Sequence, residues 1–293
     1  MQRVTRKLIP FAYLSPTLVL LAVLSLIPIV TVFYYSLMNN VIMEKNPVVV
    51  GIANYIDILT DKVFQQAFLN TMYFTVMSVI FHLILGLGFA LMLNSKLLGS
   101  TSKAIFRVIY VLPWVFTAAV IAVLWRLLLN PNGVINYILI TLNLANGPIE
   151  WLSSKQLALN TVTFINIWSG YPFYMVSLLA GLQGIPSELY EAGTIDGANG
   201  RQLFRYITLP QLRPIIVSLA MLDFIWTIHQ FTLIWMTTGG GPIHVTEVLS
   251  TYTYKQAFTS YAFSHASASA FIILAICAIV ALFYVRQQRA SDE

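Results

Sequence analysis

Long apolar runs separated by short polar segments make up most of this chain. Four runs carry no Asp, Glu, Lys or Arg, namely 8–43, 63–95, 156–187 and 256–285. Because a helix needs about 20 residues without exposed charge to cross the hydrocarbon core of a membrane, each run predicts a transmembrane helix. Two more spans follow from the uncharged run 108–125 and from 214–238, which is interrupted only by Asp223.

The predicted fold is therefore all-α, a polytopic membrane protein with six transmembrane helices. The spans cover 10–37, 68–94, 107–128, 157–182, 214–237 and 266–286. The outer loops are 38–67, 129–156 and 238–265, and the cytoplasmic segments are 1–9, 95–106, 183–213 and 287–293. The run 133–145 is apolar but too short to cross, and turn residues bound it, so we expect a short helix at the outer interface.

The orientation follows from the basic residues that flank the spans, because Lys and Arg favour the cytoplasmic side. With the N-terminus inside, eleven of the sixteen Lys and Arg residues lie on that side. The other five, on the outer side, are Lys45, Lys62, Arg126, Lys155 and Lys255. Both termini are therefore predicted to be cytoplasmic.

Composition excludes several other classes of protein. Charged residues are 9% of the chain, against about 25% in soluble proteins, and the mean hydropathy is +0.77. Cys277 is the only cysteine, which rules out an intramolecular disulfide and a cysteine-based zinc site. The net charge of +5 is scattered rather than clustered on one face, so we expect no nucleic-acid partner. The chain has no Gly-Lys pair for a phosphate-binding loop, so we expect no nucleotide or other cofactor on it.

The cytoplasmic segment 183–213 predicts a helix, a sharp break and a second helix. Pro186 can open the first helix, with Glu188 and Glu191 in its first turns, where carboxylates favour the positive end of the helix dipole. Gly193 and Gly197 then weaken this helix.

The second helix of this segment is predicted to begin at Asn199 and to end at Pro210. Asn199 and Gln202 have the spacing of a capping box, and Leu203 and Ile207 fall on one face of the helix. From these residues alone, the hairpin is equally well explained as a handle for a partner protein or as a solvated connector between two spans.

The hairpin resembles the EAA loop of ATP-binding-cassette (ABC) importer permeases, in particular those of the carbohydrate-uptake branch. The matching residues are Glu191, Ala192, Gly197, Ile207, Leu209 and Pro210, and Gly193 stands where the family usually has Ala. Outer segments around Gly51–Tyr55, Asn70–Thr71, Gly133–Tyr137 and Gly239–Pro242 extend the resemblance over nearly the whole chain. Shortly before the Gly239–Pro242 turn, the family often has a Phe-Asp pair, and this chain has Phe231 and Thr232 instead. A sugar contact made by that Asp is therefore not transferred to Thr232.

The resemblance implies a type I ABC importer permease fold in a bacterial inner membrane. The implied partners are a second permease subunit, two copies of a cytoplasmic ABC ATPase that holds ATP and Mg, and an extracytoplasmic sugar-binding protein. The implied cargo is a di- or oligosaccharide or a related polyol, and membrane lipid surrounds the spans. The residues that the resemblance assigns to ATPase coupling are Glu191, Ala192, Gly193, Asp196, Gly197 and Ala198, with Glu191 facing an ATPase cation.

Two polar stripes predict the substrate path. An ionised side chain inside a span costs about 3 kcal/mol, so Asp223 should face protein or water rather than lipid. Its helical face also carries Trp226, Thr227 and Gln230, and the fourth span carries Thr163, Asn166, Gly170 and Tyr174 on one face. Sugars are bound by aromatic faces together with amide and carboxylate hydrogen bonds, and the two stripes supply both.

Structural alternatives stay open for these residues. In one alternative, Asp223 pairs with a cation or an amide of the partner permease instead of facing the substrate. His82 and His229 are interpreted as hydrogen-bonded histidines of the bundle, and Gly86 and Gly88 as small residues that allow close helix packing.

Two other functions compete with the importer. A membrane-embedded enzyme needs paired acids or a nucleophile with a base, and Asp223 is the only carboxylate within the predicted spans. An ion-coupled secondary transporter needs only one acidic coupling site, which Asp223 supplies, but it has no use for the helix-break-helix segment.

Overall fold

The computed structural model describes residues 13–95 and 97–292, with side chains up to residue 286. These residues form twelve helices and no β-strand, which confirms the all-α class. Helices α1 to α6 are Tyr13–Ser36, Ala53–Thr60, Lys62–Asn94, Ser100–Val115, Ala118–Leu128 and Val134–Thr141. Helices α7 to α12 are Ala158–Gln183, Ser187–Ile195, Gly200–Ile228, Thr232–Thr237, Leu249–Phe258 and Phe263–Asp292.

Four of these helices, α1, α3, α9 and α12, are long and apolar enough to cross a membrane. Helices α4 and α5 together meet the same test, but they meet at a bend of 99°. Helix α7 has 26 residues and no charge, but with its Thr, Asn, Ser and Gly residues it is not among the helices that meet this test. The structure is consistent with six spans, and that count stays a prediction.

The third predicted span, 107–128, is not one straight helix. Helix α4 ends at Val115 and α5 begins at Ala118, because Phe116 and Thr117 have extended backbone conformations. The Thr117 side chain accepts a hydrogen bond from the Val120 amide at 3.4 Å and so caps α5. An uncharged run in the sequence predicts a membrane span, but it does not predict where the helix bends.

The prediction that a helix ends at Pro210 is wrong. Helix α9 runs without interruption from Gly200 to Ile228 and includes Pro210 and Pro214. Proline lacks an amide donor and normally interrupts a helix. Here a π-helical turn, Phe204–Thr208, ends two residues before Pro210, so the hydrogen-bond ladder already departs from the α pattern where the proline lacks its donor. Helix α9 ends before the predicted 237, and the separate helix α10 follows.

The described chain divides into two compact units. The first comprises the described part of Met1–Asp61 together with Thr253–Ala275. Within it, the Phe33 and Phe271 rings lie 4.8 Å apart between centroids. The buried Asn54 side chain donates to the carbonyl oxygens of Ser36 and Met38, both at 2.8 Å, and so joins α2 to the end of α1.

The second unit comprises Lys62–Tyr252 and the described part of Ile276–Glu293. Its core lies where α3 and α7 pack against each other around buried Tyr174, Met175 and Leu178. Gly86 makes this contact possible, because a Cβ atom there would lie 2.4 Å from Tyr174 Cβ and 2.9 Å from the Met175 amide nitrogen. Close packing at a small residue is a common way for helices to associate in membranes.

We expect Gly86→Ala to lower the thermal midpoint of the purified protein, since the added methyl group overpacks the contact at a cost of about 1–3 kcal/mol. Gly88→Ala is the matched control, because no atom lies within 4 Å of a Cβ at that position. Thermal denaturation followed by size-exclusion chromatography in detergent measures both variants. Equal midpoints for the two variants would contradict the packing described above.

Candidate substrate cavity and coupling hairpin

A cavity of about 250 Å³ opens within the second unit, at the C-terminal end of α9. Its polar lining comes from α3, α7, α9 and the residues after α9, namely His82, Asn166, Ser169, Asp223, Thr227 and Gln230. Its aromatic lining is Trp114, Phe116 and Trp226, and the 99° bend between α4 and α5 lies beside two of these. Polar and aromatic surfaces therefore meet in one cavity.

A buried polar contact at the cavity joins His82 to Asp223. His82 Nδ1 lies 2.8 Å from Asp223 Oδ2, and both side chains are nearly buried. His82 Nε2 lies 3.0 Å from the Asn166 carbonyl oxygen, which can only accept, so Nε2 carries a proton and donates. A second proton lies between Nδ1 and the Asp223 carboxylate. The pair has no net charge, whether this proton is on the imidazole or on the carboxylate.

A second set of hydrogen bonds surrounds this pair. Thr227 Oγ1 donates to Asp223 Oδ1 at 3.0 Å, so both carboxylate oxygens have a partner. The Asn166 side-chain amide donates to Ser78 Oγ at 2.9 Å, and Gln230 Nε2 donates to Asn166 Oδ1 at 3.4 Å. Three helices, α3, α7 and α9, are thus linked by polar side chains inside an apolar bundle.

Gly170 is the position that lets the His82 ring approach α7. A Cβ atom on Gly170 would lie 2.3 Å from His82 Nε2 and 2.4 Å from Cε1. Any other residue would therefore push the imidazole away from the Asn166 carbonyl. The position was predicted for the substrate path, and the structure gives it this packing role beside the cavity.

The structure brings six of the eight predicted path residues to one cavity, namely Asn166, Gly170, Asp223, Trp226, Thr227 and Gln230. Thr163 and Tyr174 do not line it. Thr163 donates to the Leu159 carbonyl oxygen of its own helix at 2.7 Å, and Tyr174 is fully buried in the core against the His82 ring. Residues on one face of α7 therefore have different environments, because some line the cavity and others pack in the core against α3.

Sequence reasoning missed four polar or aromatic lining residues, His82, Ser169, Trp114 and Phe116. His82 was interpreted as a hydrogen-bonded histidine, which is correct, but its partner was not identified. The sequence does carry a signal for this pair, because a buried aspartate in a membrane needs a partner and His82 is one of two histidines within the predicted spans. Asp223 thus has two partners within its own chain, and the alternative in which it pairs with another subunit stays a prediction.

The hairpin has the predicted break. Helix α8 begins after Pro186 and ends in a Schellman motif, in which the Gly197 amide donates to the Thr194 carbonyl oxygen at 3.0 Å and the Ala198 amide to that of Gly193 at 2.9 Å. Gly197 has a φ of +81°, a conformation that favours glycine. Residues 196–199 then separate α8 from α9.

The second helix of the hairpin starts with the predicted capping box. Gln202 Oε1 accepts from the Asn199 amide at 2.8 Å, and Asn199 Oδ1 accepts from the Gln202 amide at 3.0 Å. Both helix ends at the break are therefore satisfied by local hydrogen bonds, and the hairpin needs no outside partner to hold its shape.

The hairpin exposes an acidic and apolar surface. Glu191, Ala192, Asp196 and Gly197 are exposed, Ala198 is half-buried, and Ile195 is 86% exposed. Gly193 differs, because a Cβ atom there would lie 2.8 Å from Leu203 Cδ2 and 3.1 Å from Ile207 Cδ1. Its small size serves packing between the two helices of the hairpin rather than the exposed surface.

A bundle of long apolar helices with a polar cavity and a preformed exposed hairpin defines a membrane transport subunit. Residues 82–292 match the family described as "Binding-protein-dependent transport system inner membrane component". The chain belongs to this family, and it is a permease subunit of the ABC importer type.

Relatives of known name agree with this assignment. The chain is 33% identical to the "Probable ABC transporter permease protein YurN" of Bacillus subtilis, over 98% of each chain. It is 34% identical to the "Trehalose/maltose transport system permease protein MalF" of Thermococcus litoralis, over 84% of this chain and 82% of that one. The fold is that of a chain in a bacterial ABC transporter for alginate import, with a TM-score of 0.83, 22% identity, and coverage of 99% and 98%.

The pairing of His82 with Asp223 predicts a specific pattern of stabilities. His82→Ala leaves the carboxylate without its main partner, which we expect to destabilise the transporter by about 3 kcal/mol. The double variant His82→Ala/Asp223→Ala removes both groups, so its loss should be smaller than that of the single variant. Thermal unfolding of the detergent-purified transporter measures this, and a double variant that is less stable than His82→Ala would contradict the pairing.

Proposed function

We propose that this subunit forms half of a carbohydrate-conducting pore in an ATP-driven, binding-protein-dependent importer. The cavity carries the proposal, since Trp226 and Phe116 offer aromatic faces beside the amides of Asn166 and Gln230. Such a combination suits the apolar faces and the hydroxyl groups of a sugar ring. The name of the trehalose/maltose relative supports a di- or oligosaccharide or a related polyol as cargo.

The charge of the cavity supports a neutral cargo. Among the lining residues, all of which the structure describes, there is no Lys or Arg, and the carboxylate of Asp223 is paired with His82. An acidic sugar would enter without a cation from this subunit to offset its charge. The hydroxyl groups of a neutral sugar can instead share the amide and hydroxyl groups that the cavity already holds.

The hairpin is proposed as the surface that couples the pore to ATP hydrolysis. Glu191 and Ile195 lie exposed on a helix whose two ends are fixed by local hydrogen bonds. An acidic and apolar knob of this kind fits a cleft with a basic side chain, which an ABC ATPase would supply. We propose a complex of this subunit, a second permease subunit, two ATPases that hold ATP and Mg, and an extracytoplasmic binding protein, with the hairpin and both termini in the cytoplasm.

The ion-coupled alternative is disfavoured by the contacts of Asp223. An ion-binding aspartate must be free to take up and release its ion, whereas both oxygens of this carboxylate are held by His82 and Thr227. Family membership also places the chain among permeases of binding-protein-dependent systems. The paired aspartate therefore serves the structure of the cavity.

A comparison of two positions on α7 tests the cavity. We expect Asn166→Ala to reduce uptake of radiolabelled trehalose or maltose by about tenfold, because the variant loses the amide that holds Ser78 and Gln230 in place and that a bound sugar would share. Thr163→Val, one turn away and off the cavity, should retain uptake. Transport into proteoliposomes that contain the full complex measures both. Comparable losses in the two variants would indicate that the sugar contacts the whole α7 face that carries Thr163 and Asn166, rather than the cavity alone.

A pair of glutamates on α8 tests the hairpin. We expect Glu191→Ala to abolish uptake and the ATPase activity stimulated by the binding protein, with membrane insertion intact, because the hairpin loses its contact with the ATPase. Glu188→Ala is the matched control, as Glu188 is also exposed on the same helix but lies in its first turn. Uptake that survives Glu191→Ala but requires Asp223 would instead identify an ion-coupled carrier.

A further inference from the structure

The hairpin is attached to α9 by side-chain contacts as well as by the chain itself. Leu203 and Ile207 of α9 fill the space left by Gly193 on α8. Beside them, the Tyr190 hydroxyl lies 3.0 Å from Thr208 Oγ1. Thr208 is only 5% exposed, so this polar contact is shielded from water, unlike the hydrogen bonds at the tip of the hairpin.

The direction of this hydrogen bond follows from a second contact of Thr208. Thr208 Oγ1 donates to the Leu203 carbonyl oxygen at 3.4 Å, and a hydroxyl group has a single proton. The Tyr190 hydroxyl must then be the donor to Thr208. Two hydrogen bonds in series thus connect α8 to a backbone carbonyl within the first turns of α9.

The hydrogen bond from Thr208 to Leu203 spans the π-helical turn Phe204–Thr208, from its last residue back to the residue before it. A π turn is a local departure from the helical ladder and is frequent at functional sites. Beyond it, α9 continues as one helix to Asp223, Trp226 and Thr227 at the cavity. The distance from Thr208 to Asp223 is about 22 Å at about 1.5 Å per residue.

We propose that Tyr190 and Thr208 are positioning residues that fix the hairpin to α9, so that a movement of the hairpin displaces the cavity end of that helix. This inference rests on the proposed role of the hairpin in ATP coupling. Without the bond, the π turn can absorb the movement before it reaches the cavity. The rest of the hairpin keeps its shape, because its caps do not involve either hydroxyl group.

The test uses the complete transporter in proteoliposomes and MgATP as the probe. Ser169→Cys places a reporter in the cavity, and Cys277→Ser removes the only native cysteine of this subunit. The labelling rate of the reporter by a hydrophilic thiol reagent is measured by mass spectrometry with and without MgATP. Tyr190→Phe and Thr208→Val remove one hydroxyl group each, whereas Thr208→Ser keeps the hydroxyl group and removes only the methyl group.

We expect Tyr190→Phe and Thr208→Val each to reduce the MgATP-dependent change in labelling by about fivefold, which corresponds to one net hydrogen bond. ATPase assembly should persist, Thr208→Ser should recover the response, and the double variant should be no worse than either single one. Thr194→Val is the control, as its hydroxyl group bonds only the Tyr190 carbonyl oxygen of its own helix.

Three results separate the possible failures. A full response in either hydroxyl variant, or losses that multiply in the double variant, would overturn the positioning role. If Thr208→Val fails to assemble, Tyr190→Phe decides alone, because it removes one oxygen atom from a half-buried ring. If the parent transporter shows no response to MgATP, the coupling role of the hairpin has failed, and the positioning role fails with it.

Discussion

Polar groups inside an apolar bundle must find partners within the protein, and this constraint organises the second unit. The His82–Asp223 pair and the Asn166 carbonyl oxygen satisfy one another at the meeting point of α3, α7 and α9. Gly86 and Gly170 are the small residues that let the helices come close enough for these contacts. The amide and aromatic groups left at the edge of this junction form the cavity.

One helix relates the cavity to the hairpin. Helix α9 packs against α8 at Gly193 and ends among the cavity residues, so one helix, joined to α8 beside its π turn, connects the two sites. The proposed division of labour follows from this geometry. In this proposal an ATPase displaces the hairpin, and α9 transmits the displacement to its cavity end. The polar contacts around Asp223 then determine which residues of the cavity move.

Much of this arrangement could be predicted from the sequence. Uncharged runs indicated an apolar helical bundle, and Pro186, Gly197 and Asn199 predicted the helix, break and helix of the hairpin, because caps and turns depend on nearby residues. The bend at Phe116 and the continuation of α9 through Pro210 could not be predicted, since they depend on tertiary packing. The same limit applies to the cavity, where Thr163 and Tyr174 share a face with Asn166 but pack elsewhere.

The most direct measurement is site-specific photo-crosslinking from Ile195, which is 86% exposed at the end of α8. The central claim is that this subunit is driven from outside itself, through the hairpin. In membranes that contain the complete transporter, it predicts a crosslinked product with an ABC ATPase whose yield changes when MgATP is added. Crosslinks only to lipid or to the helices of this same chain, with uptake intact, would contradict it.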